Sequence, residues 1–281
     1  MRGIRRTRKQ AARALREAVG DYELPHFPGA VLQALSALRD EDATLDRISE
    51  TLNVDPGISV RVLSMVNSAG YGLCAPVDDL RQAVQLVGRA SLESLLISMG
   101  VRRALPQNAK GVDSKSFWKA AALRAAAARR LAEILHPRDA QRAFTAALLQ
   151  EMAVPMLAER QGAAYVAILD RWREGGPGLH ELEREEFGCD HTELGLLMCQ
   201  AWELPESLAV AIGGHHDEPG DEDAVPHAVL LSGFLRESGT EDGTDDLLAA
   251  ARDRHGMAPE TVTGLLDASL EDAEDLARLF A

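Results

Sequence analysis

Aromatic side chains are scarce in this sequence: six Phe, three Trp and three Tyr make up 4% of 281 residues. A core built from it must rest on Leu, Ala, Val, Ile and Met. Cysteine is scarcer still. Cys74, Cys189 and Cys199 are scattered and form no Cys-x-x-Cys pair, which argues against a disulfide framework and predicts reduced thiols in a cytoplasmic protein. Long apolar runs are missing. None approaches the ~20 residues that a membrane span needs, and no apolar block follows the basic start as it would in a signal peptide. Strand-type alternation of apolar and polar residues persists nowhere, and no repeat of 20–50 residues is found. Positive charge is the last shortage: 30 Lys and Arg stand against 44 Asp and Glu, a net charge of −14. Phosphates would be repelled, so nucleic-acid binding by the whole protein is disfavoured. Hydrophobic residues (46%) and charged residues (26%) are in the proportions of an ordinary globular protein. The length allows one large domain or two smaller units sharing an interface.

The few positive charges are unevenly placed. Residues 1–16 hold Arg2, Arg5, Arg6, Arg8, Lys9, Arg13 and Arg16 and no acid. Residues 1–23 therefore read as a basic arm or helix on an acidic body, able to touch RNA, an anionic surface or the body itself. After Leu24-Pro25 and Pro28 almost everything has the helical period. Val31, Leu32, Leu35 and Leu38 form one stripe. Thr44 is placed to cap a helix at about 44–53, and Asp55-Pro56 pairs a cap with proline at the first helical position. Residues 104–116 are polar, contain Pro106 and Gly111, and read as the connection between two halves. The second half opens with an Ala-rich helix from about Phe117 to Leu135. Asp190 and Glu193 have the spacing of a capping box for a helix through Trp202, and Pro205 begins another that runs to His215-His216. Two acidic, glycine-containing stretches at 217–223 and 237–246 bracket a short helix, and 218–281 as a whole reads as acidic helices packing on the second half. The fold class is all-α, in two lobes.

Several spans, in order, carry a resemblance. They are Leu24-Pro25 with Pro28, Val54-Asp55-Pro56-Gly57-Ile58-Ser59, Asn67-Ser68-Ala69-Gly70-Tyr71-Gly72, Ala83 to Gly88, Phe117-Trp118, Ala146 to Leu149, Asp190 to Gly195, Trp202-Glu203-Leu204-Pro205 and His215-His216. Together they resemble the HDOD domain, a bacterial signalling module related to HD-type metal phosphohydrolases. The resemblance covers about residues 24–217 and implies an N-terminal helical bundle (about 24–103) plus an HD-like helical lobe (about 117–217). In catalytic HD proteins a His, a His-Asp pair and a later Asp hold the metal. By the resemblance these positions fall at Ala120, Gln150, Glu151 and Gly233. Ala and Gly offer no ligand atom, Gln is a poor one, and Glu151 by itself does not build a site. The expectation is a degenerate site with no metal, no cofactor and no catalytic residue.

Other constellations stand beside it. His191, His215 and His216, near Asp190 and Asp217, would lie at the mouth of the old site; with Asn67 and Tyr71 they are candidates to line a groove between the lobes. Related HD proteins use equivalent histidines for a second ion, so a residual metal-dependent phosphohydrolase or a nucleotide-binding protein using the His215-His216 region is the alternative. The Asn67–Gly72 stretch reads first as a tight chain reversal. Residues 44–66 have the length of a helix-turn-helix, but Arg61 is the single basic residue on the would-be reading helix, among Asp42, Asp46, Glu50 and Asp55. No P-loop, GxGxxG or GxSxG is present. The sequence-level reading is a non-enzymatic signalling module that binds a protein partner or a nucleotide-type small ligand. Nucleic acid is a third possibility through the arm.

Overall fold

The computed structural model describes residues 24–67, 75–175, 177–217, 225–235 and 242–280, with Arg13 and Gly20. The rest of the basic arm, Tyr71, Gly72 and Cys74 lie outside the described residues. No strand occurs among those described. The first lobe holds α1 (Gly29–Arg39), α2 (Leu45–Asn53), α3 (Pro56–Val66), α4 (Leu80–Val87) and α5 (Arg89–Ala104). The second holds α6 (Ser114–Leu135), α7 (Ala140–Leu149), α8 (Val154–Gln161), α9 (Ala163–Arg173), α10 (Leu179–Phe187), α11 (His191–Ala201), α12 (Glu206–Gly213), α13 (His227–Ser232), α14 (Asp242–His255) and α15 (Pro259–Phe280).

The starts of these helices are written locally. The Thr44 hydroxyl accepts from Arg47 N–H at 3.2 Å. Asp55 accepts from Gly57 N–H at 2.8 Å ahead of Pro56 and also pairs with Arg103 of α5. Asp190 accepts from the N–H groups of Thr192 and Glu193, each at 2.9 Å. Each cap satisfies donors that the first helical turn leaves open. The charged turn after α1 is held from a distance. Arg89 donates to the carbonyls of Leu38, Asp40 and Ala43 at 2.7–2.9 Å, so one guanidinium closes the α1–α2 corner. Asn67, the C-cap of α3, uses its amide in both senses: Nδ2 donates to Val77 O at 2.7 Å, and Oδ1 accepts from Val77 N–H at 2.8 Å. One side chain thus fastens the end of α3 to the approach to α4.

The centre of the second lobe is α6. Ala121, Ala122 and Ala125 to Ala128 have no exposed surface. A helix buried all round is an interior helix, and its alanines let α7, α13 and α15 approach closely. Asp272 of α15 accepts from Arg130 at 2.7 Å and Arg129 at 3.3 Å of α6.

Two devices join the lobes. Buried Ser94 of α5 meets Gln141 and Thr145 of α7 at 2.7 and 2.6 Å. Phe27 packs on Trp202 with ring centroids 5.4 Å apart, and Trp202 Nε1–H donates to Pro25 O at 3.0 Å. Helix α15 adds contacts to α3 of the first lobe. One continuous hydrophobic core runs through both lobes.

Candidate functional site

The ends of α7, α10, α11 and α12 converge on a cavity of about 390 Å³. Glu151 follows the last turn of α7, His191 opens α11, and His215 and His216 follow α12. Sequence separates these residues widely, but the packing of α12 on both α7 and α11 brings them together. His191 Nε2 lies 3.3 Å from His215 Nε2, 3.2 Å from His216 Nε2 and 3.2 Å from Glu151 Oε2. His215 Nε2 lies 3.4 Å from Glu151 Oε1. One donor atom from each of the four residues falls within a 4.8 Å cluster.

The far sides of two rings are fixed. His191 Nδ1 is 2.6 Å from Glu183 Oε2, and His215 Nδ1 is 2.7 Å from the carbonyl oxygen of Ile212. Both acceptors require N–H at Nδ1, so in the neutral rings the Nε2 lone pairs face one another inside the cluster. Facing lone pairs need a cation between them, either a proton or a metal ion. Burial opposes charge on His191, yet Glu183 and Glu151 raise its pKa to about 9. Burial also opposes the Glu151 carboxylate, but His191, His215 and Arg124 hold its pKa well below the ordinary range. Desolvation of its ring within the cluster and neighbouring His215 lower His216 to about 2, although the residue keeps exposed surface, so it offers a neutral nitrogen. His180 stacks on it with centroids 4.1 Å apart. Donor spacings of 3.2–3.4 Å are those of ligands about 2.0–2.1 Å from one tetrahedral ion. A carboxylate or carbonyl behind a ligating imidazole is the usual support that orients it. The donor set therefore fits one divalent transition metal.

This changes the sequence-level expectation in one respect. Glu151 does not stand alone, because the fold supplies three imidazoles to it. Of the positions implied by the HD resemblance, Glu151 and Gly233 line the cavity while Ala120 and Gln150 are buried and do not. Gln150 nonetheless adjoins both: its Nε2 is 3.5 Å from Glu151 Oε1, and an added Cβ at Gly233 would sit 3.5 Å from the same atom. The Gln150 side-chain oxygen Oε1 has no hydrogen-bond partner among the described residues.

The cavity does not coincide with the groove expected between the lobes. The described lining residues run from Val112 to Arg254, so the cavity lies within the second lobe and its C-terminal helices. From helix α6 the cavity is lined by Phe117 and Arg124. Asn67 is not part of the cavity. It is occupied as the clip to Val77, and Tyr71 lies outside the described residues.

Sequence reasoning missed Glu183, Arg124 and His180. Glu183 is fully buried, between the Tyr165 hydroxyl, which donates to it, and both the ring and the backbone N–H of His191. One signal was available. On α10 the buried residues are Leu179, Leu182 and Glu183, so an acid occupies the apolar face of an otherwise polar helix.

A sequence model of the HDOD domain matches residues 24–218. A Treponema pallidum (strain Nichols) protein, described as uncharacterized, is 25% identical over 198 residues, which is 70% of this chain and 38% of that protein. The chain thus spans well under half the length of that curated relative. Among solved structures, a Shewanella amazonensis SB2B protein provisionally named a phosphohydrolase superposes with a TM-score of 0.72 at 23% identity, over 96% of this chain and 99% of that one. An HDOD domain protein of unknown function from Geobacter sulfurreducens gives a TM-score of 0.70 at 22% identity, over 97% and 98%. These structural likenesses bear on the fold.

Proposed function

Because the chain belongs to the HDOD family, we propose that it is a regulatory module and not a hydrolase, whose second lobe holds one divalent transition-metal ion on Glu151, His191, His215 and His216. The observation that carries this reading is the convergence of those four donors, with the outer nitrogens of His191 and His215 already fixed by Glu183 and Ile212. Four protein donors fill a tetrahedral shell. Structural sites are closed in this way, whereas catalytic sites keep one position for water. When bound, the ion supplies a fixed positive charge at the floor of the cavity. The protein's own residues orient it: Glu183 aims His191, Ile212 aims His215, and His180 backs His216. Further support comes from the resemblance, which puts Ala120, Gln150 and Gly233 where hydrolases of the HD type carry ligands.

Regulation then proceeds by association. The acidic body suits a partner with a basic surface, and such an encounter slows with added salt. No described helix is long and apolar enough to cross a membrane.

Elemental analysis of the purified chain tests the metal centre, alongside hydrolysis of p-nitrophenyl phosphate and its bis ester. The expected result is about one equivalent of metal per chain, lost in His215→Ala, with no hydrolysis above the blank. Glu183→Gln should weaken retention about 10–100-fold, since it leaves the ligand set intact but frees His191. A chain without metal overturns the centre. Hydrolysis that scales with metal content overturns the regulatory assignment.

A further inference from the structure

The charge around this cavity is opposite to that of the protein. The chain carries −14 overall, yet the charged residues lining the cavity are Arg124, Arg173 and Arg254 against Glu151 and Asp217. Glu151 is turned to the histidines and Asp217 offsets one guanidinium, so the lining of the remaining space stays net positive. They come from three elements. Arg124 of α6 is 4% exposed, lies beside Glu151 and donates to Leu235 O at 3.2 Å. Arg173 ends α9, lines the cavity, donates to Gly111 O at 3.0 Å and pairs with Asp170 at 3.7 Å. Arg254 is exposed in the last turn of α14, beyond the residues matched to the family. The rest of the lining is largely apolar and partly aromatic, with Phe117, Leu169, Trp172, Leu230 and Phe234.

From this arrangement we infer that the cavity takes a phosphate monoester with a flat apolar body, of the nucleoside 5′-monophosphate class, and that Arg254 reads its phosphate. The inference rests on the cavity being the working site of the module and adds the chemistry of its occupant. Guanidinium forks match the oxygens of phosphates and carboxylates. Three forks around one space offer more donors than the two oxygens of a carboxylate accept, whereas a phosphate monoester presents three terminal oxygens and a second charge. Trp172, Phe117 and Phe234 supply the faces on which a base stacks. A volume of about 390 Å³ is within the range of small-ligand sites. The specificity element would then be partly external to the family domain, because Arg254 reaches the rim only when α14 is docked on α13 and α15.

Isothermal titration of the full chain tests this, with metal content measured on the same sample. The probes are AMP, GMP, CMP and UMP, the matching nucleosides, and inorganic phosphate. At least one nucleotide should bind saturably, and its nucleoside should bind at least about tenfold more weakly. Arg254→Gln and Arg173→Gln should each weaken the nucleotide about tenfold or more, as expected for losing a charge-assisted bond, while melting as the parent does. The inference is overturned if no nucleotide binds. It is also overturned if inorganic phosphate binds as tightly as the best nucleotide, or if both arginine variants bind as the parent does. Arginine-dependent binding in a metal-free sample supports the inference and removes the metal centre. Metal without nucleotide binding does the reverse.

Discussion

Replacing Gly100 with alanine sets helix propensity against packing at the junction of the lobes. Gly100 is inside α5, where alanine is favoured by about 1 kcal/mol on propensity alone. An added Cβ, however, would stand 2.1, 2.4 and 2.8 Å from three ring atoms of Phe27. The ring has to retreat by about 1 Å or more to reach ordinary contact distance. Phe27 is 8% exposed and leans on Trp202. Displacing it loses an aromatic contact of about 0.5–1.5 kcal/mol and part of the 1.5–3 kcal/mol that burying a Phe contributes. With the propensity gain subtracted, Gly100→Ala should destabilise the fold by about 1–3 kcal/mol. Urea unfolding reads this as a lower midpoint at unchanged slope. In a Phe27→Ala background the same substitution should be neutral or stabilising by about 1 kcal/mol, because the obstruction is gone. A single variant as stable as the parent would refute the packing argument.

Other outcomes follow from the same geometry. Glu203 sits at φ 56° after α11, with Leu204 N–H bonded to Cys199 O at 2.9 Å and Glu203 N–H to Gln200 O at 3.3 Å. This is the helix-ending motif in which glycine is usual, so Glu203→Gly should raise unfolding stability by about 1 kcal/mol in the same titration. The Arg103 hydrogen bond, joined by backbone N–H donors, lowers the Asp55 pKa below 3.8. That carboxylate's stabilisation should be complete above pH 3.8 and be lost as pH falls through the lower folded value. Asp55→Ala should cost about 0.5–2 kcal/mol at pH 7 and much less near pH 2. Burial raises the Cys189 thiol to about 11 and pushes Cys199 higher still. Iodoacetamide at pH 8 should therefore leave both unlabelled in the folded protein and label both in denaturant, as read by peptide mass mapping.

The helices were legible because their information is local. The stripe from Val31 to Leu38, the caps at Thr44, Asp55 and Asp190, and the alanines of α6 specify their elements within a few residues. The candidate site was legible only in pieces. His191 and His215-His216 could be singled out, and Glu151 could be aligned with a lost ligand. Their meeting depends on α12 lying against both α7 and α11, which no local pattern encodes. The clip from Asn67 to Val77 was not legible, because an amide that closes a turn looks the same in sequence as one that meets a ligand. Arg124 was hidden among alanines, where a single arginine on a helix is ordinarily a solvated group.

The cavity wall continues past residue 218, where the family match stops. Leu230, Gly233, Phe234 and Arg254 complete it, while Val262, Leu265, Leu266 and Ala273 of α15 are buried by packing that includes the alanine faces of α6. A graft of residues 24–218 into another protein would carry every recognisable motif but leave the cavity open on one side and the alanines wet. The portable unit of this protein is therefore larger than its family signature. Divergence in α13 to α15 can retune what the cavity accepts while the motifs that identify the domain stay unchanged.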